Sequence, residues 1–86
     1  MHNEFICKEL VEQFGQRQAS HHYPCPRCGE DAMSESLWRN ALSRNGNVCI
    51  CNQCGSAEAL EAFMGDPLPV SEWAVLQNPS AYAKRT

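Results

Sequence analysis

Between residues 4 and 14 the apolar positions Ile6, Cys7, Leu10, Val11 and Phe14 recur at three- and four-residue intervals, the spacing that lines one face of a helix. Asn3 is placed to cap the start and Gly15 to stop the end, so the pattern predicts a first helix over 3–15. QRQASHH, residues 16–22, is mostly polar and reads as a connector. The pattern turns ambiguous over 33–46. Met33, Leu37, Trp38, Ala41 and Leu42 fit a helical stripe, while a metal ribbon would put hairpin strands here; helix or strand stays open. Asn45-Gly46 is a turn dipeptide, and the alternation in NGNVCIC reads as a strand. Ser56 is placed to cap a short helix with Leu60, Phe63 and Met64 on one face, ended by Gly65-Asp66-Pro67. A last helix runs from Ser71 with Trp73 and Leu76 inward, Asn78-Pro79 stops it, and 79–86 is the tail, fraying over AYAKRT, residues 81–86.

A chain of 86 residues has room for one domain, 1–86, and buries only about 60% of its unfolded surface, so its core needs help. Six cysteines offer that help as disulfides or as metal ligands. The N-terminal residues show no basic segment followed by an apolar run and a small-residue cleavage site, so the expected setting is cytoplasmic, with reduced thiols. No stretch approaches the roughly 20 apolar residues of a membrane span. A metal is therefore the expected staple.

Its ligands are legible from spacing. Cys25-Pro26-Arg27-Cys28-Gly29 and Cys51-Asn52-Gln53-Cys54-Gly55 are two C-x-x-C-G units separated by the 22 residues Gly29 to Ile50. Two intervening residues let both thiolates of a pair reach one cation through a tight knuckle, and Zn2+ takes four sulfurs tetrahedrally at about 2.3 Å. A glycine after each pair can adopt positive φ and turn amide N–H groups towards sulfur. Cys25, Cys28, Cys51 and Cys54 are thus the expected zinc ligands, leaving no open coordination position for hydrolytic chemistry. Cys49 lies one pleat, roughly 6.6 Å, from Cys51 and is read as a packing thiol. Cys7 falls on the apolar stripe of the first helix and belongs to the core. His21 and His22 are read as a solvated connector rather than ligands, and Trp38 and Trp73 as core. Cys51-x-x-Cys54 after a strand has the local order of a thioredoxin-like redox site, but the chain is too short for that fold. No Ser-His-Asp set or phosphate loop is recognisable, no small-molecule substrate is indicated, and the protein reads as no enzyme.

Charge bears on partners. Lys and Arg number 7 against 10 for Asp and Glu, a formal net charge of −3. From Asn45 to Ala83 there is no basic residue, while Glu58, Glu61, Asp66 and Glu72 fall there. Such a chain does not grip phosphates by bulk charge, although Arg27, Arg39 and Arg44 could touch them weakly.

Taken together, CPRCG, RNALSR and VCICNQCGSAEAL resemble the small zinc-ribbon proteins of bacteriophages and bacterial mobile elements. The likeness covers roughly Tyr23 to Glu61, and its specific part is Asn40 to Arg44 with Glu58-Ala59-Leu60. Cys49 departs from it, standing where the family has an aromatic residue. The resemblance implies zinc at the four cysteines and a bacterial or phage cytoplasmic setting, and it supplies no activity. From the residues alone, Asn40 and Ser43 can make side-chain to backbone bonds that fix a loop flanked by Arg39 and Arg44.

The resulting expectation is a small α+β fold: a four-cysteine zinc ribbon over 23–56 with a short β-hairpin, an N-terminal helix, and two short C-terminal helices over 57–78. Its expected role is to bind and modulate a protein partner, such as a host nucleic-acid machine or defence complex. Glu58, Glu61, Asp66 and Glu72 would present carboxylates where phosphates normally go, and Arg39 and Arg44 would flank the contact. The alternative is a nucleic-acid-binding regulatory ribbon using Arg27, Arg39, Arg44 and Trp38.

Overall fold

In the computed structural model, which describes residues 4–82, helix α1 spans Glu4–Arg17. Cys7, Val11 and Phe14 point inward, as does Gln18 just beyond the helix, while Ile6 and Leu10 flank them half-exposed. The helix runs past Gly15, which was expected to end it, and the Asn3 cap lies outside the described residues. Gly15 serves close approach instead, because a Cβ there would overlap the Asn47 carbonyl oxygen where α1 lies against the hairpin turn. Gly15→Ala should therefore destabilise the fold by about 1–3 kcal/mol despite the better helix propensity of alanine. A thermal midpoint that rises on this substitution would show that α1 does not pack against the turn.

The connector is not wholly solvated either. Gln18 is buried, and its side-chain amide pairs with Cys49 as a neighbouring strand would. It accepts from the Cys49 N–H at 2.8 Å and donates to the Cys49 carbonyl oxygen at 2.8 Å. One side chain thus satisfies a backbone edge that would otherwise be unpaired.

Residues 33–46 resolve into a 3-10 turn at Leu37–Arg39 and a strand, β1, at Ala41–Leu42. The helical stripe is broken by Asn40. Its side-chain oxygen accepts from the Ser34 N–H at 2.7 Å, and its amide donates to the Ser34 and Leu37 carbonyls at 3.3 and 3.2 Å, closing a loop in place of a helical turn. Trp38, expected in the core, is 84% exposed. Strand β2, Cys49–Ile50, pairs antiparallel to β1 with Ala41 opposite Ile50 and Leu42 opposite Cys49.

Helix α2 spans Asn52–Met64, with Cys51 rather than Ser56 at its N-cap, because the second cysteine turn is itself the first helical turn. Gly65 ends it at φ +77°, as its place in the sequence indicated. The expected last helix is split into a 3-10 turn, Val70–Glu72, and α3, Ala74–Gln77. At the break Trp73 is extended (φ −65°, ψ 146°) and fully buried, which frees the Ala74 and Val75 N–H groups to donate to the carbonyls of Arg27 and Pro26 at 3.2 and 3.0 Å. The tail does not fray from Ala81 as expected: Pro79–Tyr82 forms a 3-10 turn with Tyr82 buried. Phe14 meets Tyr23 and Tyr82 edge-on, with centroids 5.1 and 5.3 Å apart, in one core shared with Val11, Val48, Ile50, Val70 and Trp73. Helices, a two-stranded antiparallel hairpin and four clustered cysteines make the small α+β, zinc-ribbon-like fold that the sequence led us to expect.

Candidate metal centre

Cys25 and Cys28 sit on a loop knuckle, while Cys51 and Cys54 occupy the N-cap and first turn of α2. The two turns repeat one bond: the Gly29 N–H donates to the Cys25 carbonyl at 2.8 Å, and the Gly55 N–H to the Cys51 carbonyl at 2.9 Å. Their glycines differ in purpose. Gly29 takes φ +82° as foreseen, whereas Gly55 is helical and is needed because a Cβ would overlap the Ala41 Cβ where α2 crosses β1. Close packing, not positive φ, explains the second one.

All four Sγ atoms lie within 4.8 Å of one another. Cys25 and Cys54 sulfurs are 3.8 Å apart and those of Cys28 and Cys51 are 3.9 Å apart. A tetrahedron with bonds of about 2.3 Å has edges of about 3.8 Å, so these two edges already stand at the spacing a four-sulfur ion needs and the remaining pairs lie within 4.8 Å. Sulfur also receives backbone donors, from Cys51 N–H to Cys25 Sγ at 3.3 Å and from Glu30 N–H to Cys28 Sγ at 3.5 Å. The N-terminal end of α2 adds its partial positive charge beside Cys51 and Cys54. Cys28 is exposed and the other three are buried.

Desolvation pushes the Cys54 thiol up, and more weakly that of the exposed Cys28; the Cys25 charge adds to both, while Arg27 at Cys54 and the Glu30 N–H at Cys28 oppose the rise without cancelling it. Burial opposes ionisation of Cys51 as well, but bonds from the Cys54 N–H and neighbouring thiols outweigh it and lower Cys51. Tyr82 is pushed up to about 12, first by burial and then by the charges of Cys25 and Cys28. Its hydroxyl donates to the Cys25 carbonyl at 2.7 Å and so holds the first knuckle from behind.

Arg27, inside the first cysteine pair, is buried and reaches α2. Its Nη2 donates to Glu61 Oε1 at 2.5 Å, and its Nε stands 3.8 Å from Glu58 Oε2. Burial would lower its pKa, but Glu61 and the Cys54 sulfur raise it, keeping a fixed cation beside the sulfurs. Glu61 is correspondingly held below the usual carboxylate range by Arg27 and by the Leu68 N–H. Glu58 is 6% exposed and gathers the hairpin. It accepts from Ser43 Oγ at 2.8 Å, Arg44 N–H at 2.9 Å and Asn45 Nδ2 at 3.1 Å. Ser43 also accepts the Asn45 N–H at 3.0 Å.

Glu58 and Glu61, foreseen as part of an acidic contact surface, therefore bind this chain's own arginine and hairpin. Asp66, Glu72, Arg39 and Arg44 are exposed. Cys49 is half-buried and outside the sulfur cluster, and burial raises its pKa. Cys7 is buried in the core. His21 and His22 are exposed and also outside the cluster; His22 Nε2 lies 3.5 Å from Asp31. Arg27 and Tyr82 support the centre, and Gln18 braces β2, without having been foreseen in these roles. For Arg27 the cue was its place between two ligands. No helix among the described residues is long and apolar enough to cross a membrane. No protein-family model, curated protein or solved structure matches the chain.

Proposed function

We propose that this is a non-enzymatic protein, stapled by zinc at Cys25, Cys28, Cys51 and Cys54, that binds and modulates a protein partner through the outer face of α2 and the adjoining β1. Four thiolates close a tetrahedral ion, which suits support rather than catalysis.

The observation that carries the partner reading is the inward turn of Glu58 and Glu61. These are the sole charges of α2, and their pairing with Arg27 and the hairpin leaves the helix an uncharged outer side with Leu60, Phe63 and Met64 60, 89 and 70% exposed. Exposed apolar clusters of this kind mark interaction sites more often than chance. Beside them Leu42, also exposed, shares a shallow groove with Arg44, Ser56 and Ala59. The resemblance to phage ribbons favours a host nucleic-acid machine or defence complex as the partner.

Capture from bacterial lysate, with and without nuclease, tests the reading. A partner that survives nuclease should be lost, by about tenfold or more in affinity, on Phe63→Glu, while the doubly neutral Asp66→Asn, Glu72→Gln protein retains it. The opposite pattern would hand the contact to the carboxylates.

One observation favours nucleic acid as the second reading: Trp38 is open to solvent beside Arg39, with Arg44 at the far end of β1. Stacking on such a ring is worth about 1–3 kcal/mol per base. This reading requires salt-sensitive binding of single strands that Trp38→Ala abolishes; no binding at low salt removes it.

A further inference from the structure

Away from the four-cysteine cluster, α1 and the C-terminal segment line a solvent-open cavity of about 530 Å3. Leu10 and Phe14 form one wall, and Val75, Leu76 and Tyr82 the other, with Arg17 among the lining residues. That volume falls within the usual few hundred to thousand cubic ångströms of small-ligand sites, which combine apolar walls with a few placed polar groups.

Arg17 is the placed group. It is half-buried, its guanidinium carbon lies 5.2 Å from the Phe14 ring centroid and 5.6 Å from that of Tyr23, and its Nη2 donates to the Tyr82 carbonyl at 2.9 Å. Among the described residues no carboxylate comes within 4.0 Å of it, although the chain carries more acids than bases. Arg27 has two carboxylates, and Arg39 and Arg44 stand in water. A guanidinium offers five donors, and the bond to Tyr82 uses one. The remaining donors and the positive charge sit where an apolar molecule filling the cavity would place one anionic end.

We infer that this cavity binds a small amphiphilic carboxylate, its apolar part between α1 and α3 and its carboxylate on Arg17. The site is separate from the proposed α2 face and stands or falls without it.

Octanoate and octan-1-ol share a chain length and differ in charge, so they separate the contribution of Arg17 from that of the walls. Titrated into the zinc-loaded, 15N-labelled protein at neutral pH, octanoate should shift the amides of Leu10, Phe14, Val75 and Leu76 and bind about tenfold tighter than octanol. Arg17→Gln should bring the two to equal affinity. Leu10→Trp, which fills the cavity from its half-exposed rim and leaves Arg17 untouched, should abolish both, and it serves as the test if Arg17→Gln does not fold. Equal affinities in the unsubstituted protein, shifts confined to other faces, or octanoate binding undiminished by Leu10→Trp would each overturn the assignment.

Discussion

Removing the metal is expected to unfold the domain rather than loosen one loop. Cys25 shows why. Its sulfur accepts the Cys51 N–H, its carbonyl accepts both the Gly29 N–H and the Tyr82 hydroxyl, and its own N–H donates to the Glu30 carbonyl at 3.0 Å. The knuckle, the start of α2 and the C-terminal turn therefore meet at one residue. Structural zinc contributes on the order of 10–16 kcal/mol in small domains, comparable with or above the 5–15 kcal/mol that a whole domain usually has. Without the ion, buried sulfurs at contact distance have nothing to hold them. Chelation, or Cys25→Ser, should collapse the helical circular dichroism signal and the amide dispersion together, whereas Cys49→Ser, outside the cluster, should leave both in place. The sign with pH follows from the thiols. Desolvation, strongest at the buried Cys54, keeps Cys28 and Cys54 protonated above the usual range, so metal uptake releases protons and affinity falls as pH falls. The acid midpoint of unfolding should move down when zinc is raised. A chelated protein that keeps its dispersion would mean the core suffices alone.

Glu58→Ala should be the most damaging substitution of a charged side chain, at about 3–5 kcal/mol, because it takes one carboxylate from a buried arginine and the shared acceptor from three donors. The Ser43 hydroxyl, the Arg44 N–H and the Asn45 amide all converge on it, so the hairpin end would detach from α2. Glu58→Gln keeps an acceptor oxygen and should fall between. Asp66→Asn, at an exposed position, should stay within about 0.5 kcal/mol of the unsubstituted protein. Urea denaturation of the zinc-loaded forms measures the difference. Equal stability of the Glu58 and Asp66 variants would return Glu58 to the surface role that the acidic stretch first suggested.

The contrast between these two carboxylates explains what the sequence could reveal. Ligand spacing is local, so Cys25, Cys28, Cys51 and Cys54 were legible as a set before any tertiary contact was known. Cys7, Val11 and Phe14 were legible in part: their period puts them on one face together with Ile6 and Leu10, which stay half-exposed. Glu58 was not legible, since its neighbours on the helix look solvated and its partners come from residues 27 and 43–45, across the fold. A stripe of apolar residues is equally blind to which side faces water. Leu60, Phe63 and Met64 share a face as read, and that face is exposed. Glycine carried two messages that composition cannot separate: Gly29 and Gly65 supply positive φ, while Gly15 and Gly55 permit backbone approach. Gln18 standing in for a strand, and Tyr82 anchoring what looked like a loose end, depend on contacts more than 30 residues apart and leave no periodic trace.

The measurement that decides most is the metal itself: native mass spectrometry for stoichiometry, paired with X-ray absorption at the zinc edge for the ligand shell. One zinc per chain surrounded by four sulfurs at about 2.3 Å is the expected result. A chain that folds with no metal, or a shell in which nitrogen or oxygen replaces a sulfur, would contradict a closed four-cysteine staple and reopen both the fold's stability and its non-catalytic reading.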